Sequence, residues 1–266
     1  MAARVSRADD VRLADYRELT NAAARRRIEG DELFVAEGPV AVERLIGSGH
    51  TVRSVLVTDR IHDRLREPLS GTDAPVYVVD RELLRELVGF DLHRGAIAAA
   101  DRRPQPSLSE LASTTRRLAV LEGLNDPENL GAIARSARAL GVDGLVLDPT
   151  CTDPYSRRTV RVSMGEILFL PSCRTERDDW PAALGALHSA GFESWAMTPA
   201  GDATDIWSLD PPARLALLFG AEGPGLGTAS MNTATRRVRL PIRADVDSLN
   251  VAAAAAVAFA VAGRTR

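Results

Sequence analysis

Short apolar runs alternate with amphipathic stretches along most of the chain. In the first hundred residues this pattern predicts strands at 33–36, 52–57, 75–79 and 95–100, and helices at 11–21, 39–46 and 81–88. Farther on it predicts strands at 118–121, 145–147, 167–171, 193–197 and 215–219, and helices at 130–140, 180–190 and 251–262. The alternation of strands and helices is typical of a layered α/β fold.

The segment 101–107 separates two parts of the chain. It contains two prolines and no aliphatic or aromatic residue, which is typical of a linker. We therefore expect one domain over residues 1–103, a linker over 104–107 and a second domain over 108–266.

The stretch from 215 to 250 is the strongest candidate for a functional site. An apolar strand at 215–219 runs directly into a loop, 220–227, that holds four glycines and one proline. Glycine lets bare backbone approach a flat ligand, and Glu222 is the one charged residue of this loop; the alternative is that the glycines only turn the chain. Because open α/β sheets bind ligands at strand ends, we expect a crevice here. The loop contains neither G-x-G-x-x-G nor a Gly-Lys-Ser/Thr sequence, so the known phosphate loops are excluded.

Composition adds little about partners. The net charge of −3 does not indicate a nucleic-acid protein, although all 33 basic residues are arginine. Codon bias is one explanation of the missing lysine, and phosphate binding is another. Local arginine clusters occur at Arg25-Arg26-Arg27, at Arg157-Arg158 with Arg161, and at Arg236-Arg237 with Arg239.

Neither a membrane span nor a secretory signal is predicted. No apolar run reaches the roughly 18 residues that a span requires, and the first ten residues lack an apolar core. We expect a cytoplasmic protein without a metal site, in which Cys151 and Cys173 form no disulfide.

Three motifs follow one another in the second half: Asn129-x-Gly131-x-x-x-Arg135, then Phe219-Gly220-x-Glu222-Gly223-x-Gly225-Leu226, then Leu240-Pro241 followed by Ser248-Leu249-Asn250. In this order they resemble the pattern of the SpoU (TrmH-like) branch of the SPOUT RNA methyltransferases, over roughly residues 118–262. The first half, with Phe34-Val35-Ala36-Glu37-Gly38, more loosely resembles the L30e-like substrate-binding domain that precedes many SpoU domains.

This resemblance implies an α/β fold in which a smaller L30e-like domain precedes a SPOUT domain. The SPOUT domain has a parallel sheet with helices on both faces and a deep trefoil knot. The resemblance also implies a homodimer, with S-adenosyl-L-methionine as the cofactor. The implied cofactor-binding positions, which act largely through main-chain atoms, are Thr198, Phe219, Gly220, Gly225, Leu240, Ile242 and Leu249.

The implied reaction is methyl transfer to a ribose 2′-OH of RNA, a weak nucleophile that must be aligned and must lose its proton. The resemblance places Asn129, Arg135, Glu222, Ser248 and Asn250 in the catalytic site. Because a guanidinium is hardly ever a base, our hypothesis is that Arg135 binds the phosphate beside the target nucleotide. The proton then leaves through that phosphate, through Glu222 or through water. The alternatives are helix N-caps for Asn129 and Ser248, and solvated surface charges for Arg135 and Glu222.

The predicted RNA contacts are two of the arginine clusters, Arg25, Arg26 and Arg27 and then Arg157, Arg158 and Arg161. Ribosomal RNA, most specifically 23S rRNA, is the favoured substrate, and transfer RNA is the nearest alternative. A different class of function is a non-catalytic RNA-binding or ribosome-assembly protein with the same fold. A dinucleotide-dependent oxidoreductase is disfavoured because its glycine fingerprint is absent.

Overall fold

A computed structural model of the chain describes residues 2–21, 32–92 and 94–263. The described residues form two compact units. The first unit consists of residues from 2–104 together with 155–168, and the second consists of residues 105–154 and 169–263. The predicted RNA-binding residues Arg25, Arg26 and Arg27 lie outside the described residues.

The strands alternate with helices, as the sequence predicts. In chain order the strands are β1 Ala2–Arg4, β2 Leu33–Glu37, β3 Val52–Thr58, β4 Val76–Val79, β5 Ala96–Asp101, β6 Arg117–Glu122, β7 Gly144–Leu147, β8 Ser172–Arg174, β9 Glu193–Met197, β10 Thr204–Asp205, β11 Leu215–Gly220 and β12 Arg236–Arg239. The helices are α1 Pro39–Gly47, α2 Asp59–Arg64, α3 Arg66–Ser70, α4 Arg81–Val88, α5 Leu108–Thr114, α6 Pro127–Ala139, α7 Arg157–Val162, α8 Ala182–Ser189, α9 Thr228–Thr233 and α10 Val251–Ala262. The α/β fold class is thus confirmed.

The first unit is built on a mixed sheet with the strand order β1-β4-β3-β5-β2. Strands β1, β4 and β3 are parallel, and β5 is antiparallel to both β3 and β2. It follows that β2, β3 and β4 all end at the same edge of the sheet, where β5 begins. Helix α4 covers the sheet with four buried apolar side chains, Leu83, Leu84, Leu87 and Val88.

Residues 155–168 pack on the sheet of the first unit, although the boundary prediction placed all of 108–266 in the second domain. The Tyr155 ring lies 4.8 Å from the Phe34 ring on β2, measured between centroids. Farther along, Arg44 Nη1 on α1 donates to the Met164 carbonyl at 2.6 Å. These contacts join residues more than 100 positions apart, so sequence periodicity does not reveal them.

The second unit contains a parallel sheet with the order β10-β12-β9-β11-β6-β7-β8. Its central strands β6 and β11 are continuous apolar runs and are buried, as expected for a parallel sheet. Helix α10 packs on α6 and β11, and Phe259 meets Phe219 edge to face at 5.6 Å between ring centroids. The trefoil knot stays a prediction.

Some local predictions are wrong. The helix expected at 11–21 is a 3-10 turn over Val11–Tyr16. The strand expected at 167–171 is a 3-10 turn over Glu166–Phe169, and the strand forms only after Pro171, which has no N–H to donate. The apolar pattern also gives no sign of α2 and α3, which form in the charged segment 59–70.

Both cysteines are buried free thiols, as expected. Burial is the largest of the effects that raise the pKa of Cys151 to about 12, so its thiol is unreactive near neutral pH. Within the described residues, no helix combines the length and the apolar character needed to cross a membrane.

The buried His50 ring makes the first unit sensitive to acid. His50 is 7% exposed, and burial lowers the pKa of its imidazole from 6.5 to about 4. Because the unfolded chain binds the proton more tightly, stability is complete above pH 6.5 and falls as the pH decreases towards 4. We predict that His50 contributes a loss of about 2 kcal/mol in the free energy of unfolding between about pH 7.5 and about pH 5.

Urea unfolding at the two pH values, followed by circular dichroism, measures this loss in the wild type and in His50→Gln. The glutamine cannot be protonated, so its loss should be smaller by the stated amount. An equal loss in both proteins contradicts the prediction.

Candidate functional site

The carboxyl ends of β9, β11 and β12 lie at one edge of the parallel sheet. The loops that follow these strands enclose a cavity of about 470 Å³, within the roughly 300–1,000 Å³ typical of small-molecule sites. The cavity is lined by Met197, Thr198, Pro199, Phe219, Gly220, Ala221, Glu222, Gly223, Gly225, Leu240, Ile242, Ser248, Leu249, Asn250, Val251 and Ala254. This lining contains every predicted cofactor-binding residue.

Gly220 permits the tight turn that forms one wall of the cavity. A Cβ at Gly220 would lie 2.0 Å from the carbonyl carbon of Gly225 and 2.2 Å from the backbone nitrogen of Leu226. The turn is closed by a hydrogen bond from Gly225 N–H to the Ala221 carbonyl at 3.0 Å. Gly225 itself has φ of +69°, in the left-handed region that favours glycine. The glycines therefore allow two backbone segments to approach each other closely, and they also allow the chain to turn.

The opposite wall is the loop between β12 and α10. Here Leu240, Ile242 and Leu249 line the cavity, and their backbone N–H and C=O groups make no hydrogen bond with the described residues. Polar groups of the backbone need partners once water is excluded. These groups are therefore available to a ligand, which fits the prediction that the cofactor is held through main-chain atoms.

Three polar side chains predicted to be catalytic meet beside the cavity. Asn250 Nδ2 donates to Glu222 Oε1 at 2.6 Å and to Asn129 Oδ1 at 3.0 Å. Both protons of the Asn250 amide are thereby used, which fixes its orientation. The other oxygen of Glu222 has no partner among the described residues.

The helix-cap alternatives for Asn129 and Ser248 are wrong. Asn129 lies inside α6, and the N-cap of this helix is Asp126, which accepts from Glu128 N–H at 2.9 Å. The N-cap of α10 is Asn250, whose Oδ1 accepts from Ala252 N–H at 3.0 Å. Asn250 therefore caps α10 and also belongs to the polar cluster. Ser248 is an exposed residue of the cavity lining.

Arg135 is placed apart from the cluster. It lies on α6, six residues after Asn129, which corresponds to about 120° around the helix axis. Its side chain is exposed, does not line the cavity and pairs with no residue that the structure describes. An exposed guanidinium without a carboxylate partner is available to an external anion.

The predicted RNA-binding cluster on α7 is mostly engaged within the first unit. Arg161 Nη1 donates to Glu37 Oε1 at 3.2 Å, and Arg157 Nε lies 3.7 Å from Glu37 Oε2. The Arg157 guanidinium stacks over the Phe90 ring, 4.6 Å from its centroid, and burial lowers its pKa. Two of the three arginines thus hold α7 on β2, while Arg158 is exposed. An RNA role for this cluster stays a prediction.

Glu122, which none of the three motifs includes, lies beside the glycine-rich loop. It ends β6 opposite Gly220, and its Oε1 accepts from Gly227 N–H at 3.3 Å. A Cβ on Gly227 would come within 2.7 Å of that oxygen, and Oε2 is buried without a hydrogen-bond partner in the described part of the chain. Its position at the end of a strand beside the motifs is the one sequence signal that could have singled it out.

Known proteins resemble this chain over nearly its whole length. The sequence profile of the SpoU rRNA Methylase family matches residues 116–260. An uncharacterized tRNA/rRNA methyltransferase of Mycobacterium tuberculosis is 44% identical over 259 residues, which cover 94% of this chain and 88% of that protein. The 23S rRNA (guanosine(2553)-2′-O)-methyltransferase of Bacillus subtilis is 25% identical over 253 residues, or 95% of this chain and 96% of that protein.

A solved structure shows the same fold. The AdoMet-bound rRNA methyltransferase from Sinorhizobium meliloti superposes with a TM-score of 0.79 at 25% sequence identity. The match covers 98% of this chain and 97% of that chain, so it extends over both units.

We predict that Gly220→Ala displaces the glycine-rich loop. The added methyl group would occupy the space of the Gly225 backbone, so the variant should lose about 3 kcal/mol of unfolding free energy. Urea unfolding followed by tryptophan fluorescence reports on the second unit, which contains Trp180, Trp195 and Trp207.

Gly185→Ala is the matched control. Gly185 lies within α8, and a methyl group added there would meet no atom within 4 Å. Alanine at this position should therefore be neutral or stabilising by up to about 1 kcal/mol. Equal stabilities for the two variants would contradict the steric account of Gly220.

Proposed function

The chain belongs to the SpoU rRNA methylase family, and we propose that it transfers a methyl group from S-adenosyl-L-methionine to a ribose 2′-OH of 23S rRNA in the cytoplasm. The observation that carries the proposal is the hydrogen-bonded cluster of Asn129, Asn250 and Glu222 beside a glycine-walled cavity. The AdoMet-bound structural relative supports the cofactor, and the 23S-specific relative supports the substrate.

The cavity suits a flat, polar cofactor. The turn at Gly220 brings bare backbone to one wall. Leu240, Ile242 and Leu249, whose backbone groups have no hydrogen-bond partner among the described residues, line the other wall. Main-chain donors and acceptors recognise an adenine edge without a charged side chain. When bound, S-adenosylmethionine supplies an electrophilic methyl group on a sulfonium.

The polar cluster orients the nucleophile. Asn250 holds Glu222 Oε1 at 2.6 Å, so the free oxygen of that carboxylate is fixed in position. We assign this oxygen to hydrogen-bond the ribose hydroxyl and to accept its proton as the methyl group is transferred. The Ser248 hydroxyl, which also lines the cavity, has no described partner and is assigned to the same substrate.

Arg135 binds the phosphate beside the target nucleotide. A guanidinium stays protonated, so its contribution is electrostatic and positional rather than basic. Its exposure and its lack of a carboxylate partner among the described residues agree with this role.

The first unit acts as an L30e-like domain that binds RNA, and the active protein is a homodimer. Both assignments rest on the family resemblance. Much of the apolar surface of α10 is already buried within its own unit, including Ala255, Ala258 and Phe259. A dimer contact on this helix therefore uses only its remaining exposed positions.

Two measurements test the proposed function together. Calorimetric titration with S-adenosylmethionine should show saturable binding at one site per chain. Mapping of ribose methylation in RNA from cells with and without the gene should reveal one 23S nucleotide that loses its methyl group. If a methyl group is lost from transfer RNA instead, the proposed reaction stands and the proposed substrate is wrong. If S-adenosylmethionine does not bind, the whole proposal is overturned.

The variant Asn250→Asp tests the hydrogen bonds of Asn250 to Glu222 and Asn129 separately from its function as the N-cap of α10. Aspartate caps a helix as well as asparagine does, so the unfolding free energy should change by less than about 1 kcal/mol. The variant loses the N–H donors and places a second carboxylate beside Glu222. We predict that the initial rate of tritiated-methyl transfer to 23S rRNA falls by roughly tenfold or more. A wild-type rate would show that the hydrogen bonds to Glu222 and Asn129 are dispensable.

Arg135→Lys tests the phosphate role. Lysine keeps the charge but loses the two-pronged contact, so both RNA affinity and turnover should fall, each by roughly tenfold. Arg138→Lys is the control, because Arg138 is exposed on the same helix and stacks over Phe169 at 5.6 Å. Lost turnover with unchanged RNA affinity would argue against phosphate binding.

A further inference from the structure

The first unit contains a cavity of about 700 Å³ that is separate from the site described above. The charged residues of its lining are Asp59, Arg60, Arg64, Asp80, Arg81 and Arg94. All the lining residues either end or follow β2, β3 or β4, or precede β5. They therefore come from a single edge of the sheet, the edge at which open α/β sheets place their ligands.

Arginine dominates the charge of this cavity. Arg60, Arg64 and Arg94 are exposed, and none of them makes a hydrogen bond or an ion pair with another described residue. Arg81, also in the lining, lies 3.4 Å from Asp91. Three guanidinium groups on one cavity without carboxylate partners give it a positive potential that favours binding of an anion.

The two carboxylates of the lining do not neutralise these arginines. Asp59 is paired with Arg4, which lies outside the cavity. Asp80 is the N-cap of α4 and accepts from Leu83 N–H at 2.8 Å. Both acidic groups therefore already have partners. Because four arginines outnumber these two aspartates, the cavity lining keeps a net positive charge.

The shape of the lining indicates which anion fits. No aromatic side chain is among the described residues that line the cavity, so they offer no surface on which a base would stack. The cationic groups come from separate segments, α2, the start of α4 and the loop before β5. Planar guanidinium groups bind phosphate oxygens in pairs. The arrangement therefore matches consecutive phosphates better than a single nucleotide.

We propose that this arginine-lined cavity binds the phosphodiester backbone of the RNA substrate through Arg60, Arg64 and Arg94. The inference rests on the proposed function for the identity of the RNA. It assigns the RNA contact of the first unit to residues that differ from the clusters expected from the sequence. Contact with the backbone gives affinity and register without reading the base sequence.

The test compares two triple variants of the full-length protein. Arg60→Gln/Arg64→Gln/Arg94→Gln removes the proposed contacts. Arg7→Gln/Arg66→Gln/Arg85→Gln removes the same charge from exposed positions that do not line this cavity. Filter binding of a radiolabelled 23S rRNA transcript, at several salt concentrations, gives the affinity and its salt dependence for each protein.

The cavity variant should bind the transcript roughly tenfold or more weakly at physiological salt, and the slope of log affinity against log salt should decrease by about two. The control variant should stay near the wild type in both. Calorimetry with S-adenosylmethionine and circular dichroism should give wild-type values for both variants, because the cofactor cavity lies in the other unit.

The outcomes separate this proposal from the proposed function. If the wild type binds and methylates the transcript while the two variants bind equally well, the cavity assignment is overturned and the function stands. If the wild type binds S-adenosylmethionine but no 23S rRNA, the substrate assignment fails and the cavity proposal fails with it. Loss of affinity confined to the cavity variant supports the proposal.

Discussion

The close approach of two backbone segments at Gly220 is the constraint on which the cofactor cavity depends. Only a residue without a side chain leaves room for Gly225 and Leu226 to cross the end of β11. The turn closed by this approach contains Glu222, which accepts a 2.6 Å hydrogen bond from Asn250. A side chain at position 220 would prevent this close approach and displace the loop. The polar cluster would then lose the Glu222 carboxylate.

The arginines divide into two groups by the partners they have. Arg157 and Arg161 share Glu37 and hold α7 against β2. Arg135, like Arg60, Arg64 and Arg94 of the cavity in the first unit, has no acidic partner among the described residues. The net charge of −3 does not reveal this difference, because it counts arginines with and without an acidic partner equally. The distribution of partners, rather than the total charge, indicates where an anionic substrate can bind.

The sequence predicts the site in the second unit better than the cavity in the first. The buried strands and the Asn129, Glu222 and Asn250 motifs are local patterns, and they lead to the correct central strands and to residues that do meet in space. The same patterns cannot show which residue caps a helix, so they offer Ser248 as a cap in place of Asn250. The three cavity arginines of the first unit are isolated in segments with little periodicity. Only the shared sheet edge brings them together, and that edge is a property of the topology.

Residues 155–168 pack on the sheet of the first unit, and this limits where the chain can be cut into stable fragments. A chain cut after residue 104 would lack Tyr155 and both arginines that neutralise Glu37. It would expose the Phe34 ring to solvent and leave a largely buried carboxylate uncompensated. The amino-terminal half is therefore not a self-sufficient folding module, and truncation or recombination at the linker should yield an unstable fragment.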